Sequence, residues 1–165
     1  AIAATHLIKN ALAKKILIVD LDVHQGNGTA EILSNNTSVF TFSMHGQKNY
    51  PNHKPASNLD IGLEDFTSDD QYLTILEHQL NNINQLFHPD YIFYQAGVDV
   101  LSSDKLGRLN LSIIGTKQRD TLVFNFAKQL NAPVMVTMGG GYSTDIKQIL
   151  NAHCNTFKTA NEIFI

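Results

Sequence analysis

The chain is short of the features that settle a function quickly. Cysteine occurs once, at Cys154, so no internal disulfide can form and no cysteine cluster can build a zinc finger. A reduced, cytoplasmic setting is expected on that account. Charged residues are sparse at 16%, and Lys and Arg are scattered through a chain of formal net charge −3. Without a basic stripe, nucleic acid is not an expected partner. No apolar run approaches the roughly 20 residues needed to span a bilayer, so no membrane association is expected either. The opening AIAATHLIKNALAKK does not read as a signal peptide, because its positive charges follow the apolar stretch instead of preceding it. Repeats, low-complexity stretches and linkers are missing, and nothing fixes an oligomeric state. Residue 1 is Ala, and Ile2, Leu7, Ile8 and Leu12 stand near helical spacing from the outset. The chain is therefore expected to be part of something longer.

What is present is an ordinary globular composition, 43% apolar over 165 residues, which is one domain's worth of chain. Strand-like runs alternate with helical ones. Lys15 to Asp20 (KILIVD) is a β-branched apolar run of the kind buried on both faces of a sheet. Val39 to Ser43, Tyr91 to Gln95 and Val134 to Met138 repeat the pattern, and Glu162 to Ile165 is a fifth candidate. Ser68 can cap a helix running to about Phe87, with Tyr72, Ile75, Leu76, Leu80 and Ile83 inward. Ser112 can cap another, with Leu122, Val123, Phe126 and Leu130 inward, before Pro133. A shorter helix is expected after Tyr142, through Ile146, Ile149 and Leu150. Strand–helix alternation predicts a three-layer α/β/α fold with a mainly parallel sheet. Gly46 to Leu63 reads as one long irregular loop.

Polar clusters follow four of these strands. Asp20-Leu21-Asp22-Val23-His24-Gln25-Gly26-Asn27-Gly28-Thr29 follows the first, Ser43-Met44-His45 the second, Ala96-Gly97-Val98-Asp99 the third and Gly139-Gly140-Gly141-Tyr142 the fourth. In a parallel sheet these ends share one edge, where open α/β sheets bind ligands. Asp22 and His24 are two apart and can point the same way. With Asp99 they would form an open three-ligand site for Zn²⁺ or Fe²⁺, with a position left for water or substrate. A metal there would acidify a water and polarise a carbonyl. Each piece has a plainer reading. Asp22 or Asp99 can cap a helix, His24 can be a packed core residue, the glycine run can be a turn, and Asn27 reads as a helix cap. Their coincidence on one edge favours the site.

These residues resemble a known family. DLDVHQGNGT at Asp20 to Thr29 is similar to the metal-binding signature of histone deacetylases, within the arginase–deacetylase superfamily. AGVDVLSSDKLGRLNLS at Ala96 to Ser112 is similar to that family's second metal-ligand segment, and GGGYS at Gly139 to Ser143 to its catalytic tyrosine loop. Gln25, where many members carry a second His, and Arg119-Asp120-Thr121-Leu122-Val123-Phe124 resemble the class IV branch. The three motifs agree in order and spacing across nearly the whole chain.

The resemblance implies a zinc-dependent deacylase acting on an N-acyl-lysine or another acylated amine. Asp22, His24 and Asp99 would hold Zn²⁺ (or Fe²⁺), and Tyr142 would hydrogen-bond the carbonyl oxygen as it becomes an oxyanion. Asp20, Ser43 and Met44 would hold a structural monovalent cation, K⁺, together with the backbone of Asp22 and His24. Tyr50, Gly140 and Gly141 would line the acyl tunnel. His45 is expected to be structural, and His6, His53, His78, His88 and His153 match nothing functional. Family members also carry two adjacent histidines, as general base and acid, in a segment that would precede residue 1. No His-His pair occurs here. Residues 1–165 therefore read as a single, partial catalytic domain, whose activity alone would be low or nil. Two other readings compete. One is a catalytically inactive metal-binding remnant or interaction module. The other is a haloacid dehalogenase-type phosphatase with Asp20 as nucleophile and Asp22 as proton donor, for which the later Lys and acidic pair are not found.

Overall fold

The run Ile16–Asp20 forms strand β1 at the centre of a five-stranded sheet in the computed structural model, which describes all 165 residues. Its side chains alternate between two apolar layers. Ile16 and Ile18 pack with Ala4, Ala13, Leu33 and Val39, on the side of α1 (Ile2–Lys9) and α2 (Asn27–Leu33). Leu17 and Val19 enter the larger core with Tyr72, Leu76, Ile83, Val123 and Phe124, on the side of α3 (Asp69–Leu86), α4 (Ile113–Gln129) and α5 (Ile146–Phe164). A strand buried on both faces needs a continuous apolar sequence, and ILIV supplies it.

The other strands are β2 (Val39–Gly46), β3 (Leu59–Leu63), β4 (Tyr91–Gly97) and β5 (Val134–Gly139). Their order is β3-β2-β1-β4-β5 and every pairing is parallel. The expected α/β/α layering is therefore what the chain adopts, with a wholly parallel sheet. Asp20, the last residue of β1, stands opposite Ser43 on one neighbour and Gln95 on the other. No helix is long and apolar enough to cross a membrane.

Four local expectations are corrected. The segment 46–63 is not all loop, because Leu59–Leu63 pairs with β2 from Phe42 to Gly46. Its LDIGL sequence carries a single fully buried residue, Leu63, as suits an edge strand. Glu162 to Ile165 is not a strand. The helix expected to be short after Tyr142 continues to Phe164, because no Gly or Pro interrupts 146–164. Ala152, His153, Thr156 and Thr159 carry its buried face onward. Asn27 is the first helical residue of α2, with Gly26 at the cap position, so Asn27 caps nothing.

Candidate metal centre

The registered β1–β4 pairs stop at Asp20 and Gln95. Beyond them the chain turns through Leu21-Asp22-Val23-His24, beside the end of β4. The strand order reverses at this point, since β1 is followed by β2 on one side while β4 is added on the other. Such reversals open the crevice in which α/β sheets hold ligands. Gly97 makes the close approach possible, because a side-chain carbon there would stand 2.6 Å from Asp22 Cα.

Asp22, His24 and Asp99 each offer one ligand atom, and all three atoms lie within 4.8 Å of one another. His24 Nδ1 is 3.0 Å from Asp22 Oδ1 and 3.3 Å from Asp99 Oδ2. Backbone donors fix the carboxylates. The His24 N–H donates to Asp22 Oδ1 at 2.9 Å, and the Val23 N–H donates to Asp99 Oδ1 at 3.0 Å. The Asp99 carboxylate, carried past β4, is thus bonded directly to the turn that follows β1. Asp99 is 1% exposed while the His24 side chain is 26% exposed, so the cluster opens to solvent at the imidazole.

Electrostatics favour a positive charge here. Hydrogen bonds from His24 to Asp22 and then Asp99 push the imidazole pKa up to about 10. Burial works against ionised Asp22, but its His24 hydrogen bonds prevail and hold the carboxyl below the usual range. Burial, reinforced by the Asp22 charge, raises Asp99. A protonated imidazole between two carboxylates marks a place that welcomes a cation. Two carboxylates and one imidazole also form a donor set suited to Zn²⁺ or Fe²⁺. The residues fit the ion that the sequence motifs imply.

The glycine run passes over this cluster. Gly140 and Gly141 have φ of +63° and +105°, a region that other residues rarely enter. A side chain at Gly140 would overlap the Asp99 carboxylate. Tyr142 follows at 50% exposure, and its backbone N–H donates to Asp104 Oδ2 at 2.7 Å. Asp104 Oδ1 accepts from the N–H groups of Leu106 and Gly107 at 2.8 and 2.9 Å. One carboxylate therefore ties the Tyr142 loop to the segment carrying Asp99. Sequence reasoning missed Asp104, although it lies inside a motif singled out above.

The other expected residues fall as follows. The Asp20 carboxylate accepts from the Asp22 N–H at 3.2 Å and packs against Gly26. Burial pushes its pKa up to about 7. Ser43, its neighbour across the sheet, faces the Gly26 N–H at 3.4 Å and His45 Nδ1 at 3.0 Å. His45 is buried, in keeping with a structural role, and the Met44 side chain lies in the main core. Tyr50 is 67% exposed, and its carbonyl accepts from the Gln25 N–H at 3.3 Å, next to His24. Gln25 is buried and fastens the loop, donating through Nε2 to the Pro55 carbonyl and to Asp60 Oδ1 at 2.7 and 2.9 Å. Two broad surface hollows, of about 570 and 480 Å³, lie along α3 and include none of these residues.

Residues 1–157 match the model of the histone deacetylase domain. An uncharacterised protein of Picosynechococcus sp. is 42% identical over 164 residues, covering 99% of this chain and 55% of that protein. Histone deacetylase 2 of Arabidopsis thaliana is 33% identical across 82% of this chain and 36% of its own length. Human histone deacetylase 1 is 30% identical across 89% of this chain and 31% of its own length. Among solved structures, the HD domain of HDA15 superposes with a TM-score of 0.81 at 26% identity, covering 99% of this chain and 48% of that one. A histone deacetylase homolog from Aquifex aeolicus, at 22% identity and a TM-score of 0.80, shares the fold. The chain spans about half the length of the first of these relatives, and less of the others.

Proposed function

Because this chain belongs to the histone deacetylase family, we propose that it carries the metal-holding half of a deacylase that hydrolyses an N-acyl-lysine or another acylated amine. The observation that carries the reading is the meeting of Asp22, His24 and Asp99, from two strand ends, within 4.8 Å. These three side chains would hold the divalent ion, Zn²⁺ or Fe²⁺. Bound there, the ion supplies Lewis acidity, polarising the amide carbonyl and acidifying a water.

The chain's own groups do the rest of what this half contributes. The backbone bonds to Asp22 and Asp99 keep both carboxylates oriented for loading. The Tyr142 phenol is assigned as donor to the amide oxygen as it gains negative charge. Gly140 and Gly141 let the backbone run close beside Asp99, and Tyr50 is assigned to the approach used by the acyl chain. Asp20, with Ser43 and the carbonyls of Asp22, His24 and Met44, is assigned a structural K⁺. The half-buried carboxylate forms no salt bridge with a Lys or Arg, and its raised pKa is in keeping with a site that gains from a bound cation. The proton transfers of amide hydrolysis are assigned to the paired histidines that the family resemblance locates before residue 1. A cytoplasmic setting belongs to the same reading.

The test is hydrolysis of acyl-lysine peptides and acyl-polyamines by this chain joined to the N-terminal half of a family member. Expected are metal-dependent turnover and a loss of about 10²–10³ in kcat for Tyr142→Phe. Tight metal binding with no hydrolysis of any acylated amine would leave the inactive-remnant reading in its place.

A further inference from the structure

Arg119 and Asp120 lie side by side in the middle of α4, on its buried face. Both residues are buried, Arg119 completely, and a buried cation is costly unless its donors are matched. They are matched here. Nε and Nη2 donate to Asp120 Oδ1 at 3.0 and 2.9 Å, while Nη1 donates to the Gly97 carbonyl at 2.6 Å and the Leu21 carbonyl at 3.4 Å. The Leu21 carbonyl belongs to the peptide that leads into Asp22. The Gly97 carbonyl stands two residues before Asp99. Just past the last registered pair of β1 and β4, one guanidinium nitrogen thus bridges the two strand ends that carry the carboxylates.

Asp120 anchors this bridge from behind. Its Oδ1 accepts from the Tyr94 hydroxyl at 2.5 Å and its Oδ2 from the Thr156 hydroxyl at 2.6 Å. The guanidinium is therefore fixed to β4 and α5 as well as to α4. A residue serving only to fill the core would be apolar. Arg119 instead uses a planar fork, with Nη1 on the two strand-end carbonyls and Nε and Nη2 on Asp120, a spread that a single-point donor cannot cover.

We propose that Arg119 is a positioning residue for the metal centre, setting the separation of the Asp22 and Asp99 segments by bridging the Leu21 and Gly97 carbonyls. This rests on the metal-centre reading above. Outer partners of this kind typically change metal affinity by about 10–100-fold.

The probe is Co²⁺, titrated into the full 165-residue chain and followed by its visible absorption, with far-UV circular dichroism and urea unfolding alongside. Arg119→Lys keeps the charge but cannot span both carbonyls and Asp120. It should keep the fold, weaken Co²⁺ binding about 10–100-fold and alter the visible spectrum. Ile83→Val removes a buried methyl group from the core face of α3, away from the bridge. It should lower stability while leaving Co²⁺ affinity and spectrum unchanged. The proposal is overturned if R119K binds Co²⁺ as the parent does, or if both variants lose affinity in proportion to their lost stability. An R119K chain that cannot fold also overturns it, by making Arg119 a requirement of the fold and not of the site. A parent chain that takes up no Co²⁺ removes the metal-centre reading itself, an outcome distinct from the other three.

Discussion

A metal entering between Asp22, His24 and Asp99 would have to displace the proton that these carboxylates favour on His24. Its imidazole sits between Asp22 and Asp99, whose hydrogen bonds raise its pKa to about 10. Metal ligation needs the neutral ring, so uptake at pH 7 should expel about one proton per ion. Affinity should climb by about tenfold per pH unit until the ring titrates. Calorimetry in buffers of different ionisation enthalpy counts the proton directly, and a pH-independent affinity would contradict the assignment. The metal-free chain gives the mirror image. The folded-state pKa exceeds the ordinary 6.5, so this bridge contributes its full stability below about 6.5 and loses it as pH rises through about 10. A second residue-scale expectation concerns Gly140. Gly140→Ala forces alanine into the left-handed region, at a cost of about 1–2 kcal/mol, and drives a methyl group at the Asp99 carboxylate. Thermal unfolding and Co²⁺ titration should register both losses. At this scale the sequence was most readable for the meeting of Asp22, His24 and Asp99, since each follows an apolar strand. It was least readable for Arg119 and Asp104, whose work is to hydrogen-bond backbone groups distant along the chain, a contact that leaves no periodic trace.

The helix starts show why some elements could be read and others could not. Ser112 and Ser68 announce α4 and α3 because each opens a long amphipathic run. In the structure the Gly115 N–H donates to Ser112 Oγ at 2.9 Å, and the Ser68 N–H donates to the Gln71 side chain at 3.2 Å. Ser112 does more than cap. Its hydroxyl and its N–H donate to the two oxygens of Asp69, at 2.6 and 2.8 Å, fastening the start of α4 to the first turn of α3. Ser112→Ala should therefore cost about 1 kcal/mol or somewhat more in urea unfolding, with metal binding unaffected. Strand β3 and the length of α5 escaped the sequence for opposite reasons. β3 is five residues of mixed polarity whose strand character comes from the edge of β2 and not from its own pattern. The last turns of α5 end in EIFI, a β-prone tetrapeptide, and the packing of Ile163 against the main core overrides that local preference.

Taken whole, the molecule is a sheet with two outer strands. Parallel sheets are ordinarily covered, yet β5 has no partner beyond β4 and β3 none beyond β2. Met138 near the open β5 edge, and Ile146, Leu150 and Phe157 along α5, are about half exposed or more. Unpaired edges beside apolar surface invite pairing with another chain. The 165-residue chain by itself should associate in a concentration-dependent way, visible by analytical ultracentrifugation. A Lys placed at Met138 should reduce that association.

The position of β1 in the middle of the sheet also bears on when the candidate centre can form. It is the earliest of the five strands in sequence, and β2 and β3 can be laid beside it while the later chain is still unstructured. The bond from the Val23 N–H to Asp99 joins positions 76 apart, so the centre cannot close until β4 has found β1. Non-local searches of this kind are generally slow. On the reading proposed above, acquisition of an ion by Asp22, His24 and Asp99 would therefore act as a timestamp, marking the moment at which the two halves of the sheet first meet.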